Sequence, residues 1–80
     1  MPTVLLTGAN RGIGLALARA FLARGHTVIA VCRRSSPELD ALGVRVLDGV
    51  DVTDDASIAT LPGRLAGTRI DVLVNNAGIL

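Results

Sequence analysis

Val4-Leu5-Leu6-Thr7-Gly8-Ala9-Asn10-Arg11-Gly12-Ile13-Gly14 is the stretch that decides the fold. It begins as a short continuous apolar run, which suits a strand buried on both faces. Three glycines, spaced Gly-x-x-x-Gly-x-Gly, then separate that run from a segment with helical periodicity. Gly8 makes the tight turn off the strand. Gly12 removes a side chain where backbone must approach a pyrophosphate, and Gly14 lets the helix sit close to the strand. A helix start at this point adds free N–H groups and the positive end of the helix dipole, both of which favour an anion. The spacing differs from the commoner Gly-x-Gly-x-x-Gly fingerprint. The plainer alternative is a tight turn with no ligand, but a plain turn does not need three glycines.

Working outward, Ile13, Leu17, Ala20 and Phe21 recur at helical spacing over 13–24, with Arg19 and Arg24 toward the outside. Gly25 offers a left-handed C-cap. Val28-Ile29-Ala30-Val31-Cys32 reads as a second buried strand, rich in β-branched residues. Ser36 and Pro37 predict the cap and first position of a short helix that reaches Leu42-Gly43. Residues 44–47 read as a third strand. Asp54 or Asp55 caps a helix through Ile58 and Leu61 that Pro62-Gly63 interrupts or ends. Ile70-Asp71-Val72-Leu73-Val74 is a fourth strand, and Asn75-Asn76-Ala77-Gly78 turns after it. The order β-α-β-α-β-α-β predicts an α/β fold with a parallel sheet and right-handed crossovers.

Composition removes whole classes of chemistry. The 80 residues make one small domain or part of a larger one. At this length only about 60–65% of the unfolded surface is buried, so a stable core needs help. All eight basic residues are arginine; without lysine there is no Walker A loop and no Schiff base. Without tyrosine no phenol donates a proton, which leaves His26 as the only group that ordinarily titrates near neutrality. His26 follows a helix end and reads as a partner for the helix dipole. A single cysteine, Cys32, excludes a disulfide framework and a multi-cysteine zinc site, and it reads as a small core residue. Asp48, Asp51, Asp54 and Asp55 are read as caps and loop residues rather than a cation site. A net charge of +1 gives no reason to expect nucleic acid. No apolar run approaches the ~20 residues of a membrane span, and the start lacks a signal-peptide core. The expectation is a cytoplasmic protein without a membrane or nucleic-acid partner.

The second strand bears on which dinucleotide would fit. Dinucleotide folds place an acidic residue about 20 residues past the loop, on the ribose 2′-hydroxyl of NAD. Here that region reads Val31-Cys32-Arg33-Arg34, and no Asp or Glu lies between Gly14 and Pro37. Arg33, with Arg34, is suited to pair with a 2′-phosphate through its guanidinium fork, and Arg11, in the glycine loop, is expected to approach the same phosphate. NADP(H) is therefore expected over NAD(H). The alternative is that these arginines are solvated loop charges.

Thr7-Gly8-Ala9-Asn10-Arg11-Gly12-Ile13-Gly14, Asp51-Val52 and Asn75-Asn76-Ala77-Gly78 occur together in an order and at separations that resemble the short-chain dehydrogenase/reductase family. The resemblance covers the whole chain, with a nearer likeness to the small carbonyl-reductase-like or C-factor-like members. It implies the N-terminal part of a doubly wound Rossmann fold, with residues 1–80 a partial NAD(P)-binding domain truncated after the fourth strand. It implies that Asp51 accepts a hydrogen bond from the adenine amino group and that the Val52 N–H contacts the ring. Asn75 and Ala77 would line the adenosine ribose side, and Gly78 would let backbone approach the cofactor. With the loop residues Gly8, Asn10, Arg11, Gly12, Ile13 and Gly14, and with Arg33, these complete the implied cofactor-binding set. Asp51 as an Asx-turn residue, Asn75-Asn76 as ties between strand ends, and Gly78 as an ordinary turn residue remain open.

The family's chemistry uses a Tyr-x-x-x-Lys pair and a serine, and none of these is here. Tyrosine and lysine are absent, and Ser35, Ser36 and Ser57 all precede the fourth strand. The resemblance therefore implies the cofactor-binding half of an NADP-dependent oxidoreductase that transfers hydride between nicotinamide and a carbonyl or alcohol. The parent would be a candidate homo-oligomer. The chain itself is expected to carry no catalytic residue and to show no turnover. The alternatives are a non-catalytic dinucleotide-binding or signalling module, and a truncation without function.

Overall fold

The computed structural model describes residues 2–9 and 12–76. Eight elements follow in chain order: β1 (Thr3–Thr7), α1 (Gly12–Ala23), β2 (Thr27–Val31), α2 (Pro37–Asp40), β3 (Arg45–Leu47), α3 (Asp55–Ile58), α4 (Leu61–Arg64) and β4 (Val72–Val74). The four strands form one sheet in the order β3-β2-β1-β4, and every pairing is parallel. The fold class expected from the sequence is the one observed.

The sheet is covered on both faces, which explains why its central strands are apolar throughout. On one face Leu6, Val28, Ala30 and Cys32 pack with Leu15 and Ala18 of α1 and Leu39 of α2. On the other, Leu5, Ile29, Val31 and Leu47 pack with Val50, supported by Leu61 and Leu65 around α4. Leu6, Val4 and Val31 are fully enclosed, and burying each such side chain contributes roughly 1.5–3 kcal/mol. The chain thus leaves β1 by one face, returns for β2 and β3, and crosses to the other face before β4. β4 lands on the far side of β1, at Val4↔Val72 through Leu6↔Val74. The direction of strand addition reverses between β1 and β4, and the carboxyl ends of those strands form the crevice where open α/β sheets bind ligands.

Local sequence accounts for most element ends. Gly25 has φ +82°. Its N–H donates to the Leu22 carbonyl at 2.9 Å and the His26 N–H to the Phe21 carbonyl at 3.0 Å, which is a Schellman cap. The His26 ring then packs edge-on against Phe21, 5.5 Å between centroids, with Nδ1 buried and unbonded. Ser36 caps α2 through its Oγ, which accepts from the Leu39 N–H at 3.2 Å, with Pro37 in the first turn. Asp54 caps α3 by accepting from the Ala56 N–H at 3.1 Å.

Three local expectations need correction. The buried face of α1 is Gly14, Leu15 and Ala18, with Leu17, Phe21 and Leu22 beside it. Ile13 and Ala20 are exposed, Ile13 by 73%. Because nearly every side chain of α1 is apolar or small, periodicity alone did not fix which stripe faces the sheet. The expected helix from Asp54 through Leu61 is two single turns, α3 and α4, with Pro62 inside the first turn of the second. A proline there forfeits an N–H that a helix start leaves unpaired in any case. Finally, β4 is shorter than expected, and Asp71 precedes it as a clasp: the Thr3 N–H donates to its Oδ2 at 2.8 Å, and its own N–H donates to the Thr3 carbonyl at 2.9 Å.

Candidate functional site

Four loops meet at the carboxyl edge of the sheet: those after β1, β2, β3 and β4. Hydrogen bonds to strand ends hold each of them. The Gly8 N–H donates to the Val31 carbonyl at 2.9 Å, which pins the glycine loop to the end of β2. Beyond β2 the ladder continues past the strand proper. Cys32 N–H donates to Leu47 carbonyl (3.1 Å), Val50 N–H to Cys32 carbonyl (3.1 Å) and Gly49 N–H to Arg33 carbonyl (3.0 Å). This extension brings Arg33 and Asp51 close enough for the arginine's charge to act on the carboxylate.

At the crevice between β1 and β4, Thr7 is the hinge of a three-bond clip. Its Oγ1 donates to Asn75 Oδ1 at 3.0 Å and accepts the Asn76 N–H at 2.9 Å. Asn76 Nδ2 in turn donates to the Gly8 carbonyl at 3.2 Å. Gly14 lies against the same carbonyl: a Cβ added there would overlap the Gly8 oxygen outright and stand 2.7 Å from Asn76 Nδ2. The glycine is required because helix, loop and strand end converge on one carbonyl. Gly12 is required for another reason. Its φ is +58°, and an added Cβ would meet nothing within 4 Å. Among the described residues, nothing fills the space over Gly12.

The loop after β3 is built around Asp51. Its Oδ1 accepts two bonds from Thr53, from the N–H at 2.9 Å and from Oγ1 at 2.6 Å. Its own N–H donates to Ser57 Oγ at 2.8 Å, and that hydroxyl donates to the Gly49 carbonyl at 3.3 Å. The Thr53 hydroxyl first, then the Thr53 N–H, then the Arg33 charge hold the Asp51 carboxyl below its ordinary range, against an opposing desolvation. The Val52 N–H has no hydrogen-bond partner among the described residues. Among those residues the ion pairs are Arg64 with Asp48 (4.0 Å) and Arg69 with Asp71 (3.1 Å), so exposed Arg33 and Arg34 pair with no carboxylate.

Of the residues singled out from sequence, Gly8, Gly12, Ile13, Gly14, Arg33, Asp51, Val52 and Asn75 stand at this edge. Asn10, Arg11, Ala77 and Gly78 lie outside the described residues. Both open alternatives for Asp51 and the asparagines have geometric substance: Asp51 does form an Asx turn, and Asn75 and Asn76 do tie strand ends. Sequence reasoning missed Thr7 as the hinge and Ser57 as the brace. The Asp-x-Thr spacing was a readable Asx signal; the Ser57 contact, between a loop and the following helix, had none. Cys32 is a free, buried thiol whose pKa is raised by burial first and by Asp48 and Asp40 second. No helix among the described residues is long and apolar enough to cross a membrane.

Comparison with known proteins agrees with this geometry. The family model for short chain dehydrogenase matches residues 2–80. The chain is 39% identical over 82 residues to 1-hydroxy-2-glutathionyl-2-methyl-3-butene dehydrogenase of Rhodococcus sp. (strain AD45), covering 100% of this chain and 36% of that protein. It is 45% identical over 84 residues to the NADP-dependent 3-hydroxy acid dehydrogenase YdfG of Salmonella typhi, covering 95% of this chain and 33% of that one. Among solved structures, a carbonyl reductase from Pseudomonas aeruginosa PAO1 in complex with NADP superposes with a TM-score of 0.88 at 42% identity, over 99% of this chain and 39% of the reductase. The chain spans about a third of the length of these two curated relatives.

Proposed function

The chain belongs to the short-chain dehydrogenase family, and from that premise we propose that it is the cofactor-binding part of an NADP-dependent oxidoreductase acting on a carbonyl or alcohol. The observation that carries the reading is the end of β2. Where an NAD-binding fold presents a carboxylate to the ribose, this chain presents an exposed Arg33 that pairs with no carboxylate among the described residues, its charge acting on Asp51. The name of the Salmonella relative specifies NADP, and the Pseudomonas reductase was solved with NADP.

The residues present fit such a cofactor. The space over Gly12, which no described residue fills, admits a pyrophosphate against the start of α1, where N–H groups and the dipole favour it. Arg33 would pair with the 2′-phosphate in a charge-assisted contact. Asp51 would accept from the adenine amino group, and the unpartnered Val52 N–H would meet the ring. Bound NADP would supply the hydride chemistry. The chain's own residues hold and orient the nucleotide, and with neither tyrosine nor lysine they supply no family proton donor. Residues 1–80 are read as the first part of a larger domain. The relatives are about three times as long, and Leu73 on edge strand β4 stands 64% exposed. Without the remaining parts, the 80-residue protein is expected to bind the dinucleotide weakly and to turn over no substrate.

Calorimetric titration with NADP⁺ and NAD⁺ tests the reading. NADP⁺ should bind more tightly, and Arg33→Ala should reduce that preference about tenfold, the worth of one hydrogen-bonded charge contact. Equal or tighter binding of NAD⁺ overturns the cofactor assignment. Oxidation of NADPH by the 80-residue protein with an aldehyde or ketone overturns its predicted inactivity. The second reading is a non-catalytic dinucleotide-binding module. A longer form of the chain that binds NADP⁺ yet reduces no carbonyl would support it.

A further inference from the structure

Asp51 is held more completely than an exposed loop carboxylate requires. Thr53 occupies Oδ1 twice, at 2.9 and 2.6 Å, and no described residue bonds Oδ2. The peptide that carries the carboxylate is braced separately. Its N–H donates to Ser57 Oγ at 2.8 Å, and Ser57 passes its own hydrogen to the Gly49 carbonyl at 3.3 Å. Gly49 is itself bonded to Arg33, so the brace is continuous with the end of β2. Ser57 lies within α3, six residues from Asp51, and thereby fixes the loop to the helix that follows it.

A carboxylate restrained at one oxygen and at its own backbone presents the other oxygen in one direction. An ionised carboxylate only accepts hydrogen bonds, so that oxygen selects a donor and repels another acceptor. Adenine carries a donor amino group at its 6-position, and hypoxanthine carries an acceptor oxygen at the same place. We propose that Ser57, together with Thr53, is a positioning residue for base selection: the pair orients Asp51 so that its free oxygen accepts a 6-amino purine and rejects a 6-oxo purine. The inference rests on the dinucleotide reading and adds to it the residues that would set base selectivity.

The test uses NADP⁺ and its hypoxanthine analogue as probes, titrated against the protein and against Ser57→Ala, Ser57→Thr and Thr53→Ala. The unaltered protein should prefer the adenine form by about tenfold, the worth of one hydrogen bond to a charged group against a repulsive contact. Ser57→Ala should shrink that ratio to about a third, while binding of the hypoxanthine form changes by less than about twofold. Ser57→Thr keeps the hydroxyl and should restore the ratio, and Thr53→Ala should shrink it independently. Alanine favours the helix it would join, and amide exchange at Asp51 reports directly whether the brace has been lost. An unchanged ratio in Ser57→Ala, with the Asp51 amide unprotected, overturns the proposal. So does an equal loss of affinity for both probes, which is what a merely structural serine would give. If the unaltered protein binds both forms equally, base selection fails and the dinucleotide reading stands. If it binds neither, both fall.

Discussion

Replacing Gly14 by alanine tests the convergence at the switch point most directly. An added Cβ would overlap the Gly8 carbonyl oxygen and stand 2.7 Å from both the Gly8 carbonyl carbon and Asn76 Nδ2. The backbone oxygen cannot rotate away, since the Gly8 N–H is bonded to Val31 and its carbonyl to Asn76. Helix and loop must therefore separate. Overpacking of this kind costs about 1–3 kcal/mol, and losing the Asn76 bond adds about 1 kcal/mol. Alanine's better helix propensity returns about 1 kcal/mol. The net loss is about 2 kcal/mol, against a total stability of roughly 4–12 kcal/mol for a chain of this length. In a thermal melt that is a drop of roughly 8–16 °C. Gly12→Ala is the control. It meets no atom within 4 Å but must adopt φ +58°, so it should cost only the backbone strain, about 1–2 kcal/mol. Urea denaturation of both variants followed by circular dichroism measures the difference. In an Asn76→Ala background the penalty of Gly14→Ala should fall, because one of its clashing partners is gone. A Gly14→Ala protein within about 0.5 kcal/mol of the parent would refute the reasoning, since that is the range of an inconsequential surface change.

Three further outcomes follow from the same geometry. Thr7→Val keeps the shape but removes the hinge of the clip; it should cost about 1–3 kcal/mol and speed exchange of the Asn76 amide, and retained protection would contradict the clip. Asp51, with its pKa lowered chiefly by the Thr53 hydroxyl, contributes stability that is full above the ordinary carboxylate range and fades as pH falls through the lowered folded value. An NMR titration should show its midpoint return toward the ordinary range in Thr53→Ala, and an unmoved midpoint would remove Thr53 as the cause. Cys32 has the opposite sign. Its pKa is raised above 9.0 by burial first, so its contribution is full below that value and is lost as pH rises through the folded value. Iodoacetamide should accordingly label it far more slowly in the native protein than in urea, and equal rates would place the thiol at the surface.

The pattern of apolar runs was sufficient for the fold class because β1 and β2 are buried on both faces. Val4-Leu5-Leu6 and Val28-Ile29-Ala30-Val31 have no polar alternation to mislead. Caps were readable wherever a side chain bonds within its own turn, as at Ser36 and Asp54, or where a glycine must take positive φ, as at Gly25. Periodicity failed at Ile13 and Ala20. In an apolar helix the buried stripe depends on what lies opposite, and a sequence does not state that. The candidate site divides in the same way. The places of the glycines, Arg33 and Asp51 at this edge were legible because each stands at a short, fixed offset from the end of a strand. Thr7 and Ser57 were not, because each acts by reaching a partner that another element delivers.

By itself, then, the sequence determined a parallel α/β chain with a glycine-rich loop after its first strand, an arginine just past the second, and neither tyrosine nor lysine. These are properties of local order, spacing and absence. Tertiary structure alone decided that β4 returns to the side of β1, 65 residues or more down the chain, and that Thr7 there meets Asn75 and Asn76 at |i−j| of 68 and 69. It also identified the atoms that crowd Gly14, the Gly8 carbonyl and Asn76 Nδ2, where the sequence indicated only a close helix–strand approach. The physical reason is that hydrogen bonds and excluded volume act between atoms brought together in space, and the crossover from one sheet face to the other brings them there.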